Sequence, residues 1–281
     1  MKLPINSSFS LFYKVEGEGI PLLLLHGFTG THHTWDPFVE EWKDQFQLIC
    51  VDIVGHGESQ VQGEDSCNSH FYTMEEMASA LIKLLEHLKV NHVLVIGYSM
   101  GARLGLYFTC RHPNRVIGLV MESGSPGLKT EEERLERKRR DEELAERILN
   151  EGVLSFVNDW ESIPLFETQK RLPLPVQEAV RSERLGQTAE GLAGSLRGMG
   201  TGSQPSLWED LELVEPPVWL ITGEWDKKFI DIAKEMYGRL THVYMSIVPE
   251  AGHAVHVEQF EIFAKIIKDE VYPVIGYLNQ D

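Results

Sequence analysis

Cysteine is scarce in this chain of 281 residues: Cys50, Cys67 and Cys110 are the full set, odd in number and without metal-ligand spacing. That argues against a disulfide framework or a thiolate metal site and leads us to expect reduced thiols in a cytoplasmic setting. Long apolar runs are missing too. None reaches the roughly 18 residues that a membrane span requires. The stretch Met1-Lys2-Leu3-Pro4-Ile5-Asn6-Ser7 has no apolar h-region, so no secretory signal is expected. Basic residues are in short supply, 26 against 43 acidic ones, for a formal net charge of −17. A nucleic-acid partner is not expected on such a field. An anionic substrate would be repelled as well, unless specific arginines overcame the field locally. No internal repeat is visible, nor any motif for a metal or organic cofactor.

What is present is enough for a sizeable core. Hydrophobic residues make up 42% of the chain, and the length fits one large α/β domain with room for an inserted subdomain. Apolar runs at Leu22–Leu25, Gln47–Val51, Val93–Ile96, Val116–Met121, Val218–Ile221 and Tyr244–Val248 read as strands buried on both faces. Phe9–Val15 alternates and ends at Glu16-Gly17-Glu18-Gly19, which predicts a hairpin-like turn and an early antiparallel pair. Helical spacing is clearest over Met74–Leu88, preceded by Thr73 and Glu76 as a capping box. The last helix, about Gln259–Leu278, is expected to break near Pro273. The alternation predicts a mostly parallel central sheet with helices on both faces. Residues 125–210 hold no convincing strand and should form a helical lid over the sheet's carboxyl edge, with the core in 1–124 and 211–281. Most charges of the Lys129–Arg147 run read as a solvated, salt-bridged face.

Gly97-Tyr98-Ser99-Met100-Gly101 carries the chemistry. It joins a buried-type strand to an amphipathic helix through a sharp turn, with Ser99 at the tip and the positive helix end behind it. The two glycines allow backbone segments to meet there. A serine hydroxyl is a weak nucleophile and base alone, so it needs a histidine and an orienting acid. In the α/β-hydrolase architecture, serine, acid and histidine follow in that order at strand ends. Asp226 and His253 occupy such positions. Glu122 and Glu224 are competing acids, and His256 a competing base. The oxyanion donors should be the N–H groups of Met100 and of Phe28, in His26-Gly27-Phe28-Thr29. The loop Asp52–Ser59, including His56, reads as scaffold.

Arg103 stands one helical turn after Ser99, where a neutral-ester enzyme would have an apolar wall. With it come Ser123-Gly124-Ser125-Pro126-Gly127-Leu128 and Ser195-Leu196-Arg197-Gly198-Met199-Gly200-Thr201-Gly202. On these residues the chain resembles, over nearly its whole length, the 2-succinyl-6-hydroxy-2,4-cyclohexadiene-1-carboxylate synthases of menaquinone biosynthesis. Its one departure in the elbow is Ala102, where glycine is commoner. The resemblance implies a lyase of α/β-hydrolase fold that needs no cofactor or metal. It would eliminate pyruvate from a small tricarboxylate, 2-succinyl-5-enolpyruvyl-6-hydroxy-3-cyclohexene-1-carboxylate; the sequence itself leaves open a monomer or a small homo-oligomer. It also implies an arginine clamp of Arg103, Arg134 and Arg184, with Arg181 the rival of Arg184. Tyr98, Trp160 and Trp208 would shape the pocket. The alternatives are a serine carboxylesterase or C–C bond hydrolase of the same fold, or a non-catalytic small-molecule receptor.

Overall fold

The computed structural model describes residues 1–278 and leaves the Glu64, Cys67 and Leu278 side chains undescribed. Its eight strands are β1 (Lys2–Pro4), β2 (Ser10–Glu16), β3 (Ile20–Leu25), β4 (Phe46–Val51), β5 (Val93–Tyr98), β6 (Val116–Glu122), β7 (Val218–Gly223) and β8 (Val243–Val248). They form one sheet in the order β1-β2-β4-β3-β5-β6-β7-β8. The two pairings made by β2 are antiparallel, and every pairing from β4 to β8 is parallel.

The expected hairpin does not form, because β4 lies between β2 and β3. The glycine turn instead crosses over the start of β4, where the Glu18 and Ile20 N–H groups donate to the Lys43 and Gln45 carbonyls. Gly17 and Gly19 have φ of +76° and +121°. A Cβ on either would lie 2.5 Å or 2.3 Å from a carbonyl oxygen of that crossing, so only glycine fits.

Helices α1 (Val39–Trp42), α2 (Met74–His87), α3 (Met100–Arg111), α4 (Glu131–Trp160), α5 (Leu174–Leu185), α6 (Ala189–Met199), α7 (Lys227–Tyr237), α8 (Val255–Glu258), α9 (Phe260–Ile266) and α10 (Tyr272–Leu278) complete the fold. Both faces of the sheet are covered, and this explains the unbroken apolar runs. Leu23 and Leu25 point into a core with Leu81, Leu84 and Phe108, while Leu22 and Leu24 point into one with Trp42 and Phe263. Burying each such side chain is worth about 1.5–3 kcal/mol.

Only half of the capping box at α2 is made. Thr73 accepts the Glu76 N–H, but the Glu76 carboxylate turns to His70 at 3.5 Å. A complete box opens α4 instead, from Thr130 and Glu133. Pro273 does not break the last helix. The turns before it widen into a π-helix over Ile267–Val271, with the Tyr272 N–H reaching back to Ile267 O, and the helical path continues. Wider turns relieve the clash that a proline ring makes with the preceding helical turn.

Between β6 and β7 the chain runs through α4, α5 and α6 with no strand. Gly152, at φ +83°, breaks α4 into two segments. Ala145, Ile148 and Val157 of α4 pack on Leu192 and Leu196 of α6, with Phe28 beneath them. On the outer face Arg139 pairs with Glu136 and Glu143, Arg140 with Glu136, and Arg197 with Glu142. Such exposed pairs are worth about 0–1 kcal/mol each. Cys50 and Cys110 are free thiols that burial pushes up to about 12, so neither is ionised at neutral pH. Among the described residues no helix is long and apolar enough to cross a membrane.

Candidate active site

Ser99 sits between β5 and α3 at φ +50° and ψ −102°, a conformation that costs about 1–3 kcal/mol. Its surroundings hold it there. The Ser99 N–H donates to Glu122 O at 2.8 Å, and the Arg103 N–H to Ser99 O at 3.1 Å. A Cβ on Gly97 would lie 2.4 Å from the Gly101 carbonyl carbon, and one on Gly101 only 2.1 Å from Leu25 O. Neither glycine can be replaced without moving β3 or α3.

Parallel strands deliver the partners to the same edge. Asp226 follows β7 at the start of α7, and His253 lies in the loop after β8; both are buried. His253 Nδ1 meets Asp226 Oδ2 at 2.6 Å, and its Nε2 meets Ser99 Oγ at 3.0 Å. With Nδ1–H directed at the carboxylate, Nε2 is left to accept the serine proton. The competing groups are engaged elsewhere. Glu122, fully buried, accepts from the His256 backbone N–H at 3.1 Å and from its Nδ1 at 2.9 Å. Glu224 accepts the Glu250 N–H at 3.2 Å, away from the serine.

Phe28 and Met100 border the same cavity as Ser99, and Met100 opens α3, where N–H groups lack helical partners. The Phe28 loop is tied down from behind. His26 Nε2 accepts the Ile53 N–H at 2.9 Å while Nδ1 donates to Gly27 O at 2.7 Å, and burial pushes its pKa below the usual histidine range. Burial opposes ionisation of Asp52, yet bonds from His32 and Glu58 hold its carboxyl below the ordinary value. His56 packs edge-on against Phe28 and is driven down to about 3, by burial first and His26 second.

The serine opens into a cavity of about 230 Å³. Among the described residues its charged lining consists of Arg103, Arg137 and Lys228, with no carboxylate. Burial lowers the Arg103 pKa to about 10, Arg137 adds to the drop, and Asp141 opposes it. Trp160 lines the cavity too, with an indole N–H that has no partner among the described residues. Among the described residues no group of three or more His, Cys, Asp or Glu stands together as a metal site.

The family model of the alpha/beta hydrolase fold matches residues 20–260. A Bacillus subtilis (strain 168) protein, provisionally named 2-succinyl-6-hydroxy-2,4-cyclohexadiene-1-carboxylate synthase, is 45% identical, with 94% of this chain and 96% of its own length covered. The Escherichia coli O1:K1 / APEC synthase of that name is 31% identical, with 85% and 89% covered. The chain belongs to this synthase family. The structure of MenH from S. aureus superposes with a TM-score of 0.87 at 32% identity, over 96% of this chain and 99% of that one. A thermophilic esterase from Thermogutta terrifontis, with malate bound, reaches 0.83 at 27% identity, with 97% of each chain covered.

For a synthase of this family, the arginines fall differently from the sequence expectation. Arg134 is outside the cavity lining, and its Nη1 reaches Leu128 O at 3.5 Å. Arg137, nearly one turn further along α4, lines the cavity and is steadied by Asp141 at 2.7 Å. Arg184 is buried, but behind a wall of Phe28, Tyr98 and Phe166 that separates the serine cavity from one of about 520 Å³. It stacks on Phe166 and bonds Gln169 at 2.9 Å and Glu161 at 3.4 Å. Arg181 holds the same Glu161 and also stays outside the serine cavity. Tyr98 borders both cavities, and burial raises its pKa well above the usual tyrosine value. Trp208 is scaffold rather than lining, because its indole donates to Gly127 O at 2.9 Å. Arg137 and Lys228, the latter two residues after Asp226, are the lining cations that spacing alone did not reveal.

Proposed function

We propose that this chain eliminates pyruvate from 2-succinyl-5-enolpyruvyl-6-hydroxy-3-cyclohexene-1-carboxylate, giving 2-succinyl-6-hydroxy-2,4-cyclohexadiene-1-carboxylate for menaquinone biosynthesis, with Ser99, His253 and Asp226 as its base. One observation carries the residue roles. In a chain of net charge −17, the cavity at Ser99 is lined by Arg103, Arg137 and Lys228 and, among the described residues, by no carboxylate. A tricarboxylate is the complement of such a cavity, and a neutral ester is not. The family membership supports the reaction itself.

In this reading His253 Nε2 takes the Ser99 proton, and the Ser99 oxygen removes the proton next to the succinyl ketone. Charge developing on the ketone oxygen is met by the Phe28 and Met100 N–H groups, which need no reorganisation at that moment. Electrons pass through the ring alkene and break the carbon–oxygen bond to the enolpyruvyl group. The departing enolate collects the proton held on His253 and becomes pyruvate, and Ser99 ends as a hydroxyl. Asp226 keeps the imidazole oriented and stabilises its cation. The arginines and Trp160 hold the carboxylates and exclude water.

The same triad geometry would serve an acyl-enzyme, so the test has two arms. Pyruvate release from the cyclohexene substrate is followed by a lactate dehydrogenase couple, beside hydrolysis of p-nitrophenyl butyrate. Rapid pyruvate release with slow ester turnover is the expected result. Rapid ester turnover without pyruvate would make the chain a serine carboxylesterase.

A further inference from the structure

Arg103 has unusual company for a half-buried cation. Arg137 pairs with Asp141, Arg181 and Arg184 share Glu161, and Arg197 takes Glu142 and Glu146. Among the described residues Arg103 forms no ion pair. Its Nη1 donates both hydrogens to neutral acceptors, Met199 O at 2.9 Å and Gln204 Oε1 at 2.8 Å. Among the described residues its side-chain bonds both leave from Nη1, and the side chain lines the cavity. Gln204 is fully buried in the turn after α6, with its N–H fixed to Gly200 O at 3.0 Å. Its side-chain orientation is not free, since reversing the amide would set an NH2 group against a guanidinium. The Nε2 that points away has no partner among the described residues. A carboxylate of the same shape would reach Arg103 equally well and would cancel its charge in a site of low dielectric.

We infer that Gln204 is a positioning residue that sets specificity for polyanions: by gripping one edge of Arg103 with a neutral acceptor, it leaves the other edge and the whole positive charge to the substrate. The inference rests on the reading that the substrate is a carboxylate-rich anion. It assigns to the turn after α6 a task distinct from that of the cavity's own cations.

Gln204→Glu tests it, with pyruvate release read as separate kcat and KM values and with calorimetric binding of the cyclohexadiene product. The expected result is a KM and product Kd raised about 10- to 100-fold, the scale of one charge-assisted contact, with kcat falling far less. Gln204→Met removes the acceptor without neutralising the cation. It should raise KM less than fivefold, which separates charge from shape. Should the glutamate variant fail to fold, the methionine variant still carries the test, through a kcat/KM lowered about two- to fourfold. Unchanged KM and Kd in Gln204→Glu, or wild-type kcat/KM in Gln204→Met, would overturn the inference. If the wild-type chain releases no pyruvate, the functional reading fails instead, and the two failures are told apart.

Discussion

Glu258 brackets His253: its two carboxylate oxygens accept the N–H groups on either side of the histidine, Gly252 at 2.7 Å and Ala254 at 3.2 Å. The loop that presents the ring is thereby fixed at both flanks, and Nε2 has little freedom to leave Ser99. Glu258→Ala should lower kcat for pyruvate release about tenfold, in line with losing bonds to a charged acceptor, while KM stays within about threefold. Glu258→Gln, which keeps one good acceptor, should recover part of the loss. A change confined to KM would mean that Glu258 acts on substrate rather than on the histidine.

Ser99→Ala and His253→Ala should each reduce turnover at least ~10³-fold, and the double variant should be scarcely worse than either, because the groups act as a unit. Steady-state kinetics on purified variants checks this. Thermal melts close to wild type would show that the loss is chemical.

The cavity separates arginines that the sequence does not. Arg103→Ala and Arg137→Ala should each cost about 10- to 100-fold in kcat/KM, on the order of one charge-assisted contact. Arg134→Ala, whose guanidinium reaches only Leu128 O, should stay within about threefold. A larger loss for Arg134 than for Arg137 would reverse the assignment.

Acid should destabilise the fold through His56. Its pKa is about 3 when folded against 6.5 ordinarily, so the unfolded chain binds the proton first as pH falls. The stability tied to neutral His56 is complete above about 6.5 and is lost progressively on acidification toward 3. Between pH 6.5 and 5 the loss should be about 2 kcal/mol, and His56→Leu should remove that slice from urea unfolding curves. Identical pH slopes for the two proteins would refute the assignment.

What could be read along the chain is local in origin. The elbow is legible because a five-residue turn forces glycine at 97 and 101, and Asp226 and His253 are legible because each follows an apolar strand. The place of β4 between β2 and β3 is not, since strand order is a long-range property and Gly17 and Gly19 resemble any hairpin turn. Arg134 and Arg137 share one helix three residues apart, and only the packing of α4 on α6 decides which guanidinium reaches the serine cavity. Arg184 is screened by Phe28, Tyr98 and Phe166, side chains from three separate elements. The His256–Glu122 pair likewise joins positions that nothing in the spacing connects.

Product analysis tests the central claim most directly, because the two chemistries open to this site release different acids. Elimination frees pyruvate and leaves the succinyl ketone intact, whereas attack of Ser99 on that ketone would cleave the carbon–carbon bond and free succinate. Quantifying both acids after complete conversion of 2-succinyl-5-enolpyruvyl-6-hydroxy-3-cyclohexene-1-carboxylate should give one pyruvate per substrate and no succinate. Succinate formation dependent on Ser99 would contradict the account.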